Sequence, residues 1–465
     1  MSNQISPPPV TVPYELIFDL PSSMLDSRKI EQRIQPYSQS QYTSAGQIAK
    51  FTIPQTDRTL ASGQTMYLTG KLVLDGLSNT AASNYAILGS FYSMFSRQVV
   101  LANGTVWETI EKPGELVNLL INMTMNSSEK VSQSNSLGCA SYQDEDSTSN
   151  IGLKIGMVSG LTTDTSTIVN KLKQTISFAI PIIGVLDANK YIPMWNSNID
   201  LELTINALQN WFTAVETLAA LTGSEIFTLS DLELVFDSIE LSPESFNMVM
   251  SNYPQKVFIK SQSYLAGTGN VSSGISGGQD IPINARLSSM KQLFFYFNNS
   301  TNCADQTFGG INPNANDIVF ITNGKYYPQR PIKCTNPSEC YMQIQKSFGS
   351  IKTYSHSGCI GKNEFCRRDK VDTDKMYKTT QTSKTALGSR SDGTGGGNKF
   401  YLAIDTEIIN TNKASLYNGI QTGVNSNIRV NIADPLTNGY TCFYWCCYDV
   451  LLEMDFTTGI SRAIY

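Results

Sequence analysis

Thr175-Ile-Ser-Phe-Ala-Ile-Pro-Ile-Ile-Gly-Val-Leu-Asp-Ala-Asn-Lys-Tyr-Ile-Pro-Met-Trp-Asn-Ser-Asn-Ile-Asp-Leu-Glu-Leu-Thr-Ile-Asn206 is the stretch on which the fold turns. It opens as a β-strand, and Pro181, which has no N–H to give to a sheet ladder, stops it. An apolar passage containing Gly184 and Pro193 follows. A second strand then alternates Ile199, Leu201, Leu203 and Ile205 with Asp200, Glu202, Thr204 and Asn206. Side chains on a strand point to opposite faces in turn, so this pattern puts one set inside and the other in water. The proline-bounded middle reads as a connection that makes an interface between two sandwich strands, and it carries no catalytic group.

The same logic extends outward. Met66, Leu68, Leu72 and Leu74 share a strand face opposite Tyr67, Thr69, Lys71 and Val73, and Phe91–Leu101 forms another β-rich run. A helix is predicted over Glu108–Met125, with Pro113 near its start and Leu116, Leu119 and Leu120 at helical spacing. The polar segment Asn126–Asn170 reads as irregular. After a short apolar excursion, Ala207–Leu221, a closing strand covers Phe227–Leu241. Its apolar register shifts between Phe236 and Ile239, which predicts a β-bulge near Asp237 or Ser238.

Beyond a linker containing Pro243 and Pro254 the plan repeats. Strands are predicted over Val257–Tyr264, Met290–Phe297, Asp317–Asn323 and Gly324–Lys333, then a helix over Ser338–Phe348, a polar stretch Gly349–Asn398, and strands near Lys399–Ile404, Ile428–Ile432 and Thr441–Phe456. In the last, Tyr448, Val450, Leu452, Met454 and Phe456 fall on one side and Asp449, Glu453 and Asp455 on the other. Both halves therefore show strands, one helix, a long polar insertion and more strands. The predicted fold class is all-β: two tandem eight-stranded antiparallel jelly-roll sandwiches with short helices and long surface loops. The predicted organisation is an N-terminal arm over 1–13, a first jelly roll over 14–245, a linker over 246–255 and a second jelly roll over 256–465.

Composition agrees. A chain of 465 residues exceeds one ordinary core. Charged residues are only 16% and aromatics 10%, with Tyr and Phe far ahead of Trp, as expected of sandwich strands joined by polar turns. The net charge of −5 argues against tight nonspecific binding to nucleic acid, since there is no cationic excess to displace phosphate counterions. Arg367, Arg368 and Lys370, the densest basic cluster, read as a solvated loop. Met1–Val12 lacks the basic start and apolar core of a signal peptide, and no window approaches a membrane span. A reducing compartment is expected, and nine cysteines, an odd number, do not read as a secreted disulfide framework. Six N-x-S/T sequons, at Asn103, Asn122, Asn126, Asn270, Asn298 and Asn299, read as chance in so Asn-, Ser- and Thr-rich a chain.

Candidate chemistry is thin. Gly274-Ile-Ser-Gly-Gly278 matches the serine-hydrolase elbow, which needs a strand before the serine and a helix after it. Here a Gly/Ser-rich loop precedes it, Gln279-Asp-Ile-Pro282 follows, and His356 is the only histidine available as base. His356 with Cys359, Cys366, Cys334 and Cys340 could suggest zinc, yet the cysteine spacings are wider than a zinc knuckle. Adjacent Cys446 and Cys447 point to opposite strand faces and read as buried thiols. Asp144, Glu145 and Asp146 lack the glycine and terminal glutamate of a calcium loop, and Gly393–Gly397 lacks the Lys-Ser/Thr of a phosphate loop. No catalytic, cofactor-binding or metal site is assigned, and no cofactor is expected.

Three passages carry a family resemblance: Pro181–Ile205; Asp231-Leu-Glu-Leu234 through Ser242-Pro-Glu244; and Val319-Phe-Ile-Thr-Asn-Gly-Lys-Tyr-Tyr-Pro328. In order and spacing they resemble the double jelly-roll major capsid proteins of eukaryotic double-stranded DNA viruses, the polinton-like virus and virophage-related group. The resemblance spans about Tyr14–Tyr465, although the polar insertions do not align. It implies a structural protein found in the virion, assembled inside the host cell: a homotrimer with a pseudo-hexagonal footprint, tiling an icosahedral shell around a double-stranded DNA genome. Neighbouring capsomers, penton proteins and minor capsid proteins would be its partners, with no specific nucleic-acid binding and no membrane span. The arm carrying Pro7-Pro8-Pro9 would lie extended along the base. The alternative is a β-sandwich carbohydrate-binding or adhesion protein. A cupin- or glycosidase-type enzyme is the weakest reading, because clustered histidines are missing.

Overall fold

The decisive stretch forms two strands joined by a folded connection. In the computed structural model the second strand, Ile199–Ile205, alternates buried and half-buried residues along its whole length, as its sequence requires. The structure describes residues 26–77, 85–138, 152–155, 172–214, 226–252, 255–299, 310, 312–313, 315–349, 360, 365, 400–408, 417–432 and 439–465.

In chain order the strands begin with β1 Ser27–Ile34, β2 Gln41–Tyr42, β3 Ile48–Ile53, β4 Thr59–Ala61, β5 Tyr67–Leu77, β6 Tyr85–Leu88, β7 Phe95–Ala102 and β8 Thr105–Glu111. Helices α1 Pro113–Thr124 and α2 Ser127–Leu137 follow, then β9 Gly152–Ile155, β10 Leu172–Pro181, β11 Ile192–Pro193, β12 Ile199–Ile205, β13 Phe212–Ala214 and β14 Ile226–Leu241. Helix α3 Pro243–Asn252 leads to β15 Lys256–Val271, β16 Gly277–Ile283, β17 Met290–Asn299, β18 Asp317–Thr322 and β19 Lys325–Ile332. Helix α4 Pro337–Ser347, β20 Leu402–Asp405, β21 Ser426–Ile432, β22 Tyr440–Asp455 and β23 Ser461–Ile464 complete the order.

The first sandwich sets a seven-stranded sheet, β10-β5-β14-β4-β11 with β1 and β2 on β14, beside a four-stranded sheet, β3-β12-β7-β8. A small β13-β6-β9 sheet accompanies them. The second sandwich pairs β15-β22-β17-β20, with β23 on β22, with β16-β21-β18-β19. The paired strands are antiparallel, and their neighbours are mostly distant in sequence, the crossing pattern of a jelly roll. The core is anchored by Trp107 and Trp211 in the first half and Trp445 in the second, all fully buried.

Several local readings change. The predicted helix starts at Pro113, and Glu108 belongs to β8. The segment read as a linker is largely helix α3. Ser242 accepts the Ser245 N–H through its hydroxyl, and Pro243 and Glu244 occupy the first turn, a good helix start. The polar segment Asn126–Asn170 contains α2 and β9, and β15 runs through the Gly-containing passage to Val271. The bulge of the closing strand lies at Ser230–Glu233 and not at Asp237 or Ser238. Asp231 takes φ +52, and the slip turns Leu232 toward Gly70, where a Cβ would lie 2.5 Å from Leu232. Glycine opposite the bulge makes room for the extra inward side chain. Along β14, Ser238 stays buried because its hydroxyl donates to the Ile30 carbonyl of β1. The carboxylate side of β22 is not wet: Asp449 and Glu453 are buried against β15 and β23.

Candidate assembly surfaces and the joint between the two sandwiches

The connection between β10 and β12 packs where the two sandwiches meet. Tyr92, in the turn before β7, donates its hydroxyl to the Pro181 carbonyl at 2.6 Å and accepts the Ile183 N–H at 3.1 Å. Gln98 of β7 donates to the Ile183 carbonyl at 2.7 Å. The Val185 N–H donates to Glu108 Oε2 of β8 at 2.7 Å, while Ser261 of β15 donates to the Val185 carbonyl at 2.8 Å. One residue of the connection is thus held by the first sandwich through its N–H and by the second through its C=O. Gly184 has φ +90, and a Cβ there would fall 2.3 Å from the Glu108 carboxylate, so only glycine fits.

Further bonds cross the same joint. Asn196 donates to Ser461 Oγ at 2.9 Å, Ser461 donates to Ser197 Oγ at 3.2 Å, and Asn103 reaches the Gly459 carbonyl at 3.4 Å. Trp195 packs against Phe246 of α3 and against Phe456, with ring centroids 5.2 and 5.6 Å away. Lys112 places its ammonium 4.1 Å from the Phe443 ring centroid, and Asn122 of α1 donates to the Tyr401 hydroxyl at 3.1 Å. Burial pushes the Glu108 carboxyl up to about 7, opposed by the nearby Ser263 hydroxyl and by hydrogen bonds from the Val185 amide and Gln98. Burial likewise raises Glu115, which Lys112 opposes, and lowers Lys112 itself.

At the far end of β15 an ion network ties three strands. Lys256 lies 2.8 Å from Glu453 and 3.3 Å from Asp455, and Arg462 lies 2.6 Å from Glu453. Buried Asp449 takes the Ser289 hydroxyl at 2.7 Å and sits 3.2 Å from the Lys260 ammonium. These contacts explain how acidic residues can sit on a covered sheet face: each charge has a cation or donor within reach.

The motifs weighed for chemistry fall into structural settings. Ser276 lies in a turn between β15 and β16, with a strand and no helix after it, which is not the geometry of a nucleophile elbow. Cys334, Cys340, Cys442, Cys446 and Cys447 are free and buried. Burial pushes Cys446 and Cys447 up to about 12, which holds them as neutral thiols at physiological pH. Among the described residues no group of three or more His, Cys, Asp and Glu side chains is placed to hold a metal. His356, Cys359, Cys366, Arg367, Arg368, Lys370, Asp144–Asp146, Gly393–Gly397 and the arm over 1–13 lie outside the described residues.

Three of the sequon asparagines have structural roles. Asn122 is buried in the contact with Tyr401, and Asn298 is buried in β17. Asn126 caps α2: its side-chain oxygen accepts the Glu129 N–H at 2.7 Å while Glu129 accepts the Asn126 N–H at 2.8 Å. No helix among the described residues is long and apolar enough to cross a membrane.

The outward surface offers single apolar side chains: Tyr37, Tyr191, Met248, Phe258, Ile408 and Ile460 are all exposed. Among the described residues β19 pairs only with β18, and Pro328 and Pro331 remove donors from its strand. The missing signal for the joint was Glu108. In sequence it stands at a plausible helix start, and only its neighbours in space show that it is a desolvated joint residue.

Two antiparallel sandwiches in tandem, joined through a shared connection, define a double jelly roll. No protein family and no curated protein matches the sequence. Solved structures do match across nearly the whole chain. A chain of the Sputnik virophage, solved by cryo-EM, superposes with a TM-score of 0.58 at 11% identity, covering 100% of this chain and 94% of that one. PBCV-1 Vp54, as fitted into a Sputnik reconstruction, gives 0.57 at 9% identity over 96% of this chain and 98% of that one. The mavirus major capsid protein gives 0.53 at 11% identity over 98% and 95%. The chain has the double jelly-roll fold of these viral capsid proteins.

Proposed function

We propose that the chain is a viral major capsid protein, a structural building block whose work is done at interfaces. The observation that carries this reading is the end-to-end superposition on capsid proteins, both sandwiches and their connection included. In this reading three copies assemble around an axis. Six similar sandwiches then give a pseudo-hexagonal outline that can tile an icosahedral shell around a double-stranded DNA genome. Neighbouring capsomers, penton proteins and minor capsid proteins are its partners, the virion is its location, and no enzymatic role is assigned. The arm over 1–13, the jelly rolls over 14–245 and 256–465 and the linker over 246–255 are the proposed units. The net charge of −5 fits a shell wall better than a nucleic-acid-binding protein.

Sedimentation and electron microscopy of the purified protein test the proposal. A particle of three times the 51.2 kDa chain mass with a pseudo-hexagonal outline is expected. A stable monomer that binds glycans and never assembles would overturn it in favour of a sandwich adhesin.

A further inference from the structure

Glu108 is a buried carboxylate at the meeting point of two sandwiches, 2% exposed, with the second sandwich directly behind it. Its hydrogen-bond partners are the Val185 N–H at 2.7 Å and Gln98 Nε2 at 3.3 Å. The Val185 carbonyl in turn accepts from Ser261 of the second sandwich, so Glu108 and β15 grip one residue through its two flanking peptide groups. Gly184 brings the backbone against the carboxylate and leaves no space for a side chain there.

Among the described residues the titratable groups facing Glu108 are Tyr92 from the turn before β7, Tyr264 from β15 and Tyr448 from β22, with Cys447 beside Tyr264, while Asp187 of the connection faces Tyr92 and Tyr264. None of them is a cation. The three tyrosines and the thiol are driven further toward their neutral forms by burial, so none can neutralise an anion at Glu108.

We propose that Glu108 is a proton-operated clasp between the two jelly rolls: protonated, it seals the 182–186 connection against β15, and ionised, it draws water into the joint and loosens it. A buried carboxylate without a cation is stable as the acid, and its ionisation demands solvation that only opening supplies.

The direction follows from linkage. The folded-state carboxyl is raised from 4.5 to about 7, so the folded protein holds this proton more tightly than the unfolded chain. That stabilisation is complete below the unfolded value and is lost as pH rises through the folded one, weakening the closed joint by roughly tenfold per pH unit across that window.

Amide hydrogen exchange of the Val185-containing segment, followed in the full chain from pH 5.5 to 8.5 and corrected for base-catalysed intrinsic exchange, tests this. Wild-type protection is expected to fall by roughly tenfold or more as pH rises. Glu108→Gln keeps the shape without the charge and is expected to flatten the profile. Glu115→Gln, which removes a raised carboxyl on α1, is expected to leave the Val185 profile sloping. Parallel wild-type and Glu108→Gln profiles would overturn the clasp. If Glu108→Gln does not fold, a pH-independent wild-type profile does so by itself. The readout is local to one chain, so it stands or falls apart from capsid assembly.

Discussion

At the scale of single residues, the joint shows how little freedom a well-packed connection leaves. Gly184 is required twice over, by a left-handed backbone and by a carboxylate where its Cβ would be. Gly184→Ala is expected to cost about 2–4 kcal/mol, combining backbone strain with displacement of Glu108. Gly274, with φ +71 and nothing within 4 Å of a Cβ, is the matched control. Gly274→Ala should cost only about 1 kcal/mol, the strain alone. Denaturant titration of both variants reads the difference, and equal costs would show that the Glu108 contact carries no constraint. Sequence reading finds Gly184 and its proline neighbours but not their partner, because Glu108 lies far along the chain and its burial belongs to the second sandwich.

At the scale of elements, alternation did most of the work. β12 and the core of β14 are legible because one face is apolar and the other polar, residue by residue. Where both faces are covered, alternation misleads. β22 carries Asp449 and Glu453 on a side that looks wet in sequence, yet both are buried and paired with lysines of β15 and an arginine of β23, the strands that flank it in the sheet. The pattern shift read near Asp237 and Ser238 marks no bulge, because Ser238 is buried with its hydroxyl bonded to Ile30, and the bulge at Ser230–Glu233 lies where Gly70 makes room for Leu232. Helix α2, inside a polar stretch, depends on a local device. Its reciprocal cap between Asn126 and Glu129 is exposed, so Asn126→Ala is expected to cost about 1 kcal/mol. The loss should show as faster hydrogen exchange in Ser127–Leu137 with the sandwich strands unchanged. Unchanged exchange there would mean that packing and not capping holds the helix.

At the scale of the whole molecule, the two sandwiches are joined by hydrogen bonds, an aromatic cluster around Trp195 and a cation over Phe443. Such a joint predicts that they unfold together. Calorimetry should give one cooperative transition, and Trp107→Ala, a fully buried anchor of the first sandwich, should destabilise that transition by about 3–5 kcal/mol. Two separated transitions, with only one moved by the substitution, would show that the halves are independent.

The sequence by itself determined that this is an all-β chain built twice on one plan, because strand periodicity, turn residues and a low share of charge are local properties that each segment carries alone. It also showed the Pro181–Ile205 passage as an interface-forming connection. Only the tertiary structure decided which surfaces meet there, that a glutamate closes the joint, and that the acidic side of the last long strand is buried. Those are questions of which distant groups exclude water from one another, and a linear pattern of apolar and polar residues does not encode that partner.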